Sequence, residues 1–587
     1  MNRAQQGRSD LQTERRTRMQ PQRELTVRAL GTGVVLGALL TPSNVYAGLK
    51  IGWSFNMSII ALLLGYGIWQ SVTHVRRAAP WSLHESNINQ TTTSSAASIV
   101  AGGLVAPIPA YTLITGDTIG AVPMMAWVFA VSFLGVWVAW YLRDSLIPDE
   151  RLRFPEAVAT LETMQQVYNQ GREALHRLYA LGAAAVLAGS IKAVDLLAGP
   201  IPRWAPNAAL ERLTFTLDPS PLLVGFGGII GIRVGLSLLL GAAIAWGGVA
   251  PWLLDAGLVT LPAEAQGPQF GALVEWLLWP GVSLLVCATL VSLAVRQWRS
   301  RDLRKRANTA RTPRRIPFIL LLLASGLVIL LQVTLFGISL FMAILSLPLA
   351  IALACMAARV VGTTGIPPIG ATGQLSQLTF GLIAPGQMTV NLMSANTAGG
   401  AAGQCTDLLN DFRVGHLIGA TPARQLVAQC TGIVVGSLVG VMAYRALIPD
   451  PQAMLITPDW PAPAVATWKA VAEVLSGGMA AIDQSVRWAM LAGSMVGLAM
   501  GLLEVRADQS ARLARWLPSA AAFGLAFIIP ASISLMMALG AALAWMCARV
   551  APTLAERFVI AAAAGLVAGE SIVGVGTSFW MMLSGTG

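Results

Sequence analysis

The 587 residues are 55% hydrophobic and 11% charged, with a formal net charge of +11. Soluble domains carry about 25% charged residues, so composition excludes a soluble enzyme or binding module. The positive charge does not indicate nucleic acid either, because it sits in two blocks that flank apolar runs. These are an arm with seven arginines from Arg3 to Arg28 against three acids, and "RQWRSRDLRKRANTARTPRR" at 296–315.

Apolar runs recur along the whole chain, for example "PFILLLLASGLVILLQVTL" at 317–335. A helix that crosses a bilayer needs about 20 such residues. Candidate segments lie near 27–47, 51–73, 86–113, 121–142, 178–198, 222–246, 273–295, 317–335, 337–361, 371–385, 388–405, 424–447, 485–503, 520–545 and 556–582. The expected fold is an all-α polytopic membrane protein with about 14–16 transmembrane segments, some of them broken or re-entrant. Short basic flanks stay in the cytoplasm. The expected location is therefore a multi-pass position in the cell's inner, cytoplasmic membrane, with the arm 1–24 and the linker 296–315 inside. The apolar run after the arm carries no cleavable signal pattern.

The linker separates segments 25–295 and 316–587, which contain related stretches. "GFGGIIGIRVGLSLLLGAAIAW" (225–246) overlays "GLAFIIPASISLMMALGAALAW" (524–545) at an offset of 299, with ten of 22 positions identical. "TTTSSAAS" (91–98) overlays "NTAGGAAG" (396–403) at an offset of 305. Two matches at nearly one offset imply two related halves, a recurring transporter design with the solute site between them. Parallel and inverted orientations both remain open. Loops 143–177 and 503–516 are basic, whereas 247–272 lacks Lys and Arg and 448–484 is mostly acidic. Keeping both basic blocks inside requires 222–246 to return to the side it entered, with breaks at Gly231 and Pro530.

Polarity is concentrated in "SLHESNINQTTTSSAASIVAGG" at 82–103. As a helix it is polar on every face: Glu85, Asn89 and Thr92 share one face, and Asn87, Gln90, Thr91, Ser94 and Ser98 take the others. An unpartnered amide or hydroxyl in hydrocarbon costs about 4–8 kcal/mol, and a carboxylate at bilayer centre at least about 2.5–3.5 kcal/mol. Such a helix belongs at the centre of the bundle or against a water-filled cavity. The alternative is that its hydroxyls and amides only join helices, with Glu85 just outside the membrane.

The second half has a counterpart in "MTVNLMSANTAGGAAGQCTDLLNDFRVGHLIGATPARQ" at 388–425. Asn391, Asn396 and Gln404 interrupt a small-residue run. Asp407 and Asp411 follow at i,i+4 on one helix face, with Arg413 and His416 next, an arrangement suited to relaying protons or to local ion pairs. Arg233 lies at the expected break, where it could meet a substrate carboxylate or a structural one. Glu570, in "AGLVAGESIVGVG", is ringed by glycines and is a proton-site candidate, whereas Lys192 and Asp195 form an i,i+3 ion pair. The five cysteines are scattered without CxxC or Cys/His spacing, so neither a disulfide framework nor a metal or other cofactor site is expected. Four histidines without HExxH, and no GxSxG or Walker motif, argue against an enzyme and against ATP coupling.

"HESNINQTTTSSAASIVAGG" resembles the ENN-x-x-QT-x-A-S signature of the oligopeptide transporter superfamily. "LRFPEAVATLE" (152–162), "GIRVGLSLLLG" (231–241), "DFRVGHLIGATPARQ" (411–425) and "AGLVAGESIVG" (564–574) are similar to its other landmarks, in the same order. The resemblance spans about residues 25 to 580. It implies a proton-driven secondary importer of small peptides or of metal–chelate complexes, and it carries Glu85, Asn87, Gln90, Asp411, Arg233 and Glu570 onto patterned positions. Ser86 stands where asparagine is usual and Arg413 where lysine is usual, and the NPGPFN motif is absent. These departures lean toward the bacterial and yellow-stripe-like branch. The expected partners are a small peptide or metal chelate, protons and the lipid bilayer, with homo-oligomerisation open. A passive channel, the competing reading, would show unitary currents.

Overall fold

The structure, a computed structural model, describes residues 23–52, 56–77, 79–149, 152–169, 171–199, 201–260, 267–304, 315–365, 367–478, 482–507 and 517–584. Residues 1–22 of the basic arm and 305–314 of the linker therefore lie outside the described residues. Among the described residues the chain is helical, with one isolated bridge between Trp204 and Leu217 and no named strand.

The first half contains α1 (Val27–Ile51), α2 (Ser58–Arg76), α3 (Leu83–Ala97), α4 (Pro107–Thr115), α5 (Ala121–Leu146), α6 (Pro155–Asn169), α7 (Gly171–Leu197), α8 (Pro221–Ile230), α9 (Ile232–Ile244) and α10 (Phe270–Arg304). The second contains α11 (Arg315–Phe336), α12 (Leu340–Thr364), α13 (Ile369–Ile383), α14 (Met388–Ile418), α15 (Pro422–Leu447), α16 (Pro463–Gly477), α17 (Gln484–Ala507), α18 (Ala520–Leu525), α19 (Ala531–Val550) and α20 (Ile560–Ser584). Thirteen helical stretches among the described residues are long and apolar enough to cross a membrane. The 31-residue α14 is about 46 Å long at 1.5 Å per residue. It is too polar to meet that hydropathy criterion, yet long enough to span, which brings the number to fourteen. The chain is an all-α polytopic membrane protein.

The two polar helices occupy the interior, as their composition requires. Every residue of α3 from His84 to Ala97 is buried, and α14 is buried from Val390 through Phe412. Glycines let neighbouring backbones reach α3. Gly33 and Gly37 of α1 face Thr92 and Ala96, and a Cβ on Gly436 of α15 would stand 2.4 Å from the Ala96 carbonyl oxygen. Small-residue contacts of this kind replace the hydrophobic drive that lipid does not supply.

The matched stretches run in opposite directions. Along α3 and α14, Gln90 meets Asp411, Ser94 meets Asp407 and Gly103 meets Asn396, so the two helices are antiparallel. α8 stops at Gly231, whose φ of 81° and ψ of 168° interrupt the helix, and α9 turns back. Phe215 and Gly247, before and after this pair, are neighbours, since a Cβ added to Gly247 would stand 3.7 Å from the Phe215 ring. The chain thus returns to the side it entered, as the charge pattern required. In the second half, α18 ends at Leu525 and α19 starts after Pro530. Gly235 packs on Ala541 and Ala538 while Gly241 packs on Ala526 and Phe523, so α9 and α19 are antiparallel and the two hairpins point to opposite ends.

Candidate functional site

Two buried aspartates lie where α3 and α14 touch. Asp407 accepts hydrogen bonds from Ser94 Oγ of α3 at 3.1 Å and from Ser98 Oγ, just past the end of α3, at 2.9 Å. Gln90 Nε2 donates to Asp411 Oδ1 at 3.0 Å, while Asp411 Oδ2 is buried without a donor. One residue before Asp411, Asn410 Nδ2 donates to Glu156 Oε2 at 2.7 Å, which draws a third carboxylate to the cluster. Glu156 arrives there because Phe154 N–H donates to Gly362 O and Pro155 opens α6 directly after it. α6 is not among the spanning helices. Burial first, and the Asp407 carboxylate second, push the Glu156 carboxyl up to about 7. None of Glu156, Asp407 and Asp411 has a cation in ion-pair reach among the described residues. Arg413, expected beside the two aspartates, instead donates to the Ile147 carbonyl.

The amides divide by role. Gln90 belongs to the acidic cluster, and Asn87 reaches it only through Gln90, whose Nε2 lies 3.3 Å from Asn87 Oδ1. Asn89 Nδ2 donates to Ala61 O at 2.9 Å and holds α2. Asn391 and Gln377 exchange hydrogen bonds at 2.5 and 3.1 Å across the α13–α14 turn. Asn396 accepts from Trp127 Nε1 at 2.6 Å and presses on Gly103. Asn89, Asn391 and Asn396 therefore join helices, the bland alternative that composition had allowed.

Glu85, read from sequence as lying at membrane depth or just outside it, sits at one end of the polar helix. It occupies the first turn of α3, in a capping box in which Ser82 Oγ accepts from Glu85 N–H and Glu85 Oε2 accepts from Ser82 N–H at 3.1 Å. Arg28 Nε and Nη2 both reach the carboxylate at 2.6 Å, and Thr26 Oγ1 donates at 2.7 Å. The Arg28 guanidinium also lies 5.1 and 5.4 Å from the ring centres of Trp69 and Trp81. A cavity of about 620 Å³ borders this node, lined by Arg23, Arg28, His84 and Glu85. A short polar helix start needs a cap, and a buried carboxylate needs a partner; Arg28 and Ser82 satisfy both demands. Arg233 is likewise away from the centre. It is 41% exposed, donating to Leu517 O at 2.8 Å and lying 3.6 Å from Glu504, the structural pairing that the sequence had left open.

Glu570 forms the floor of a second cavity, of about 630 Å³, at the end opposite Arg28. It is buried, accepts from Ser220 Oγ at 2.9 Å on both oxygens, and accepts from Leu222 N–H at 2.8 Å. The carboxylate therefore caps the start of α8, where the free amides and the helix dipole favour an anion. Lys50, Lys192, Asp195, Arg203, Glu211 and Asp218 also line this cavity. Lys192 and Asp195 do pair, at 2.8 Å.

Glu156 and Lys50 were missed by sequence reasoning. Pro followed by Glu at a helix start was a visible signal for Glu156, whereas nothing local distinguishes Lys50 from a lysine at a helix end. Among the described residues no three His, Cys, Asp or Glu side chains are grouped to hold a metal ion, and none of the five cysteines is in a disulfide.

Comparison with known proteins covers the same span as the motifs. Residues 24–581 match the family described as "OPT oligopeptide transporter protein". The Saccharomyces cerevisiae protein named "Putative oligopeptide transporter YGL114W" is 23% identical, over 94% of this chain and 95% of the yeast protein. A Haemophilus influenzae "Putative oligopeptide transporter" is 24% identical over 92% of this chain and 93% of its own length. The Arabidopsis thaliana "Metal-nicotianamine transporter YSL2" is 21% identical over 94% and 92%. With its landmarks in order and nearly all of its length matched, the chain belongs to the oligopeptide transporter family.

Proposed function

We propose that the chain is a proton-coupled symporter that imports small oligopeptides across the cytoplasmic membrane, its basic end facing the cytoplasm. The observation that carries this reading is the uncompensated pair Asp407 and Asp411 at the contact between α3 and α14. Their Cβ atoms are about 5–6 Å apart at this spacing. At an effective dielectric of 20, two charges at that distance repel by about 3 kcal/mol. Binding one proton relieves that repulsion, and losing it restores the strain at the seam between the two halves. Segments 25–295 and 316–587 then act as inverted repeats that rock about this seam. A membrane field of 100 mV adds about 2.3 kcal/mol per imported proton.

A second reading, import of metal chelates, is favoured by relatives that carry the name metal-nicotianamine transporter. Proteoliposomes under an imposed inward proton gradient test both, with trialanine and a ferric nicotianamine chelate as probes. The expected result is gradient-dependent accumulation of one probe that Asp411→Asn abolishes. Accumulation that survives collapse of the gradient would rule out proton coupling.

A further inference from the structure

The 630 Å³ cavity above Glu570 has the size of a small-molecule site, about 300–1,000 Å³, and an unusual set of charges. Three cationic side chains, Lys50, Lys192 and Arg203, face five acidic ones, Asp195, Glu211, Asp218, Asp459 and Glu570. Most are already matched. Lys192 holds Asp195 at 2.8 Å. Arg203 holds Asp459 at 2.8 Å and lies 3.6 Å from Asp218, which ties loop 198–220 to loop 448–462 at the rim. Glu570 is satisfied by Ser220 and the α8 amide.

Two charges are left over. Lys50, in the last turn of α1, is partly buried, with its ammonium 5.9 Å from the Tyr46 ring centre and no carboxylate in ion-pair reach among the described residues. Its electrostatic neighbours are Lys192 and Asp195, which are already paired with each other. A helix C-terminus favours a cation by about 0.3–1 kcal/mol, but that does not account for a second lysine lining the same cavity. Glu211, partly buried on the lining, likewise has no ion-pair partner among the described residues. An unmatched cation and an unmatched anion in one cavity complement a solute with the opposite arrangement.

We propose that this cavity is the capture site for a zwitterionic solute, with Lys50 binding its carboxylate and Glu211 its ammonium. Charge placement gives selectivity because a solute that lacks either group leaves a partly buried charge unpaired. A peptide with free termini and an amino-acid chelate share this chemistry. The assignment deepens the transport reading, since the cavity lies on the side from which an importer would load.

The test is equilibrium binding to the purified full-length chain in detergent without any gradient, using trialanine, N-acetyl-trialanine-amide and the ferric nicotianamine chelate. Trialanine or the chelate is expected to bind wild type, and whichever binds identifies the source. Lys50→Gln should weaken that binding at least ten-fold, Lys50→Arg should restore it, and Glu211→Gln should weaken it comparably. If trialanine is the ligand, its blocked form should bind at least ten-fold more weakly. Unchanged affinity in Lys50→Gln, equal affinity for blocked and free peptide, or no binding of either probe to wild type would overturn the proposal. Intact Lys50-dependent binding with gradient-independent uptake would overturn proton coupling and leave the site standing.

Discussion

Glu85 and Asp411 illustrate how differently two carboxylates in polar helices can be held. Glu85 is 1% exposed and accepts from Arg28, Thr26 and Ser82, so its charge is fixed in place. Asp411 is 3% exposed with one oxygen unpartnered. Glu85→Gln should therefore leave proton-driven uptake measurable, whereas Asp411→Asn should abolish it in the same liposomes. Arg28→Ala would leave a buried charge without its partner, a change that costs about 3–5 kcal/mol, and should lower the unfolding temperature in detergent. Glu156 gives a pH prediction whose sign follows from its shift. Its carboxyl ionises at about 7 in the fold against an ordinary value of 4.5, so the folded chain holds a proton that the unfolded chain has released between these values. Stability should fall as pH rises through that window, and Glu156→Gln should flatten the fall in thermal-shift measurements.

At the scale of elements, the re-entrant pair α8–α9 was legible because charge and glycine constrained it together. The basic blocks demanded that 222–246 return, and Gly231 was the residue able to permit it. Its conformation, φ 81° with ψ 168°, belongs almost only to glycine and costs other residues about 1–3 kcal/mol. Gly231→Ala should destabilise by that amount, read as a lower unfolding temperature, since nothing crowds its Cβ position. Single cysteines at Leu217 and Leu258, both exposed, should be labelled from the same side of the membrane; opposite accessibility would contradict the hairpin. The second expected break is also present, since the helix stops at Leu525 and resumes after Pro530. One element was read less well. α14 reads as a chain of polar interruptions until its burial among neighbouring helices accounts for them.

Across the whole molecule, α3 and α14 are antiparallel and the two hairpins point to opposite ends, the arrangement that the proposed inverted repeats require. The segment just before α1 spans the seam at the basic end: Glu24 accepts from Thr421 N–H at 2.9 Å while Arg28 holds Glu85. On the proposed orientation, with the basic end inside, a cysteine at His74 should react only from the cytoplasmic side and one at Asp459 only from outside. The sequence by itself determined the class, the polar pair of helices and the places of the helix breaks. These depend on local composition and on the cost of exposing polar groups to lipid, and both are written in order along the chain. Only the tertiary structure decided which carboxylates have partners. Arg28 lies 57 residues from Glu85, Glu156 lies 254 from Asn410, and Glu570 lies 350 from Ser220. The cost of a buried charge depends on what stands within about 4 Å of it, and distance along the chain does not reveal that.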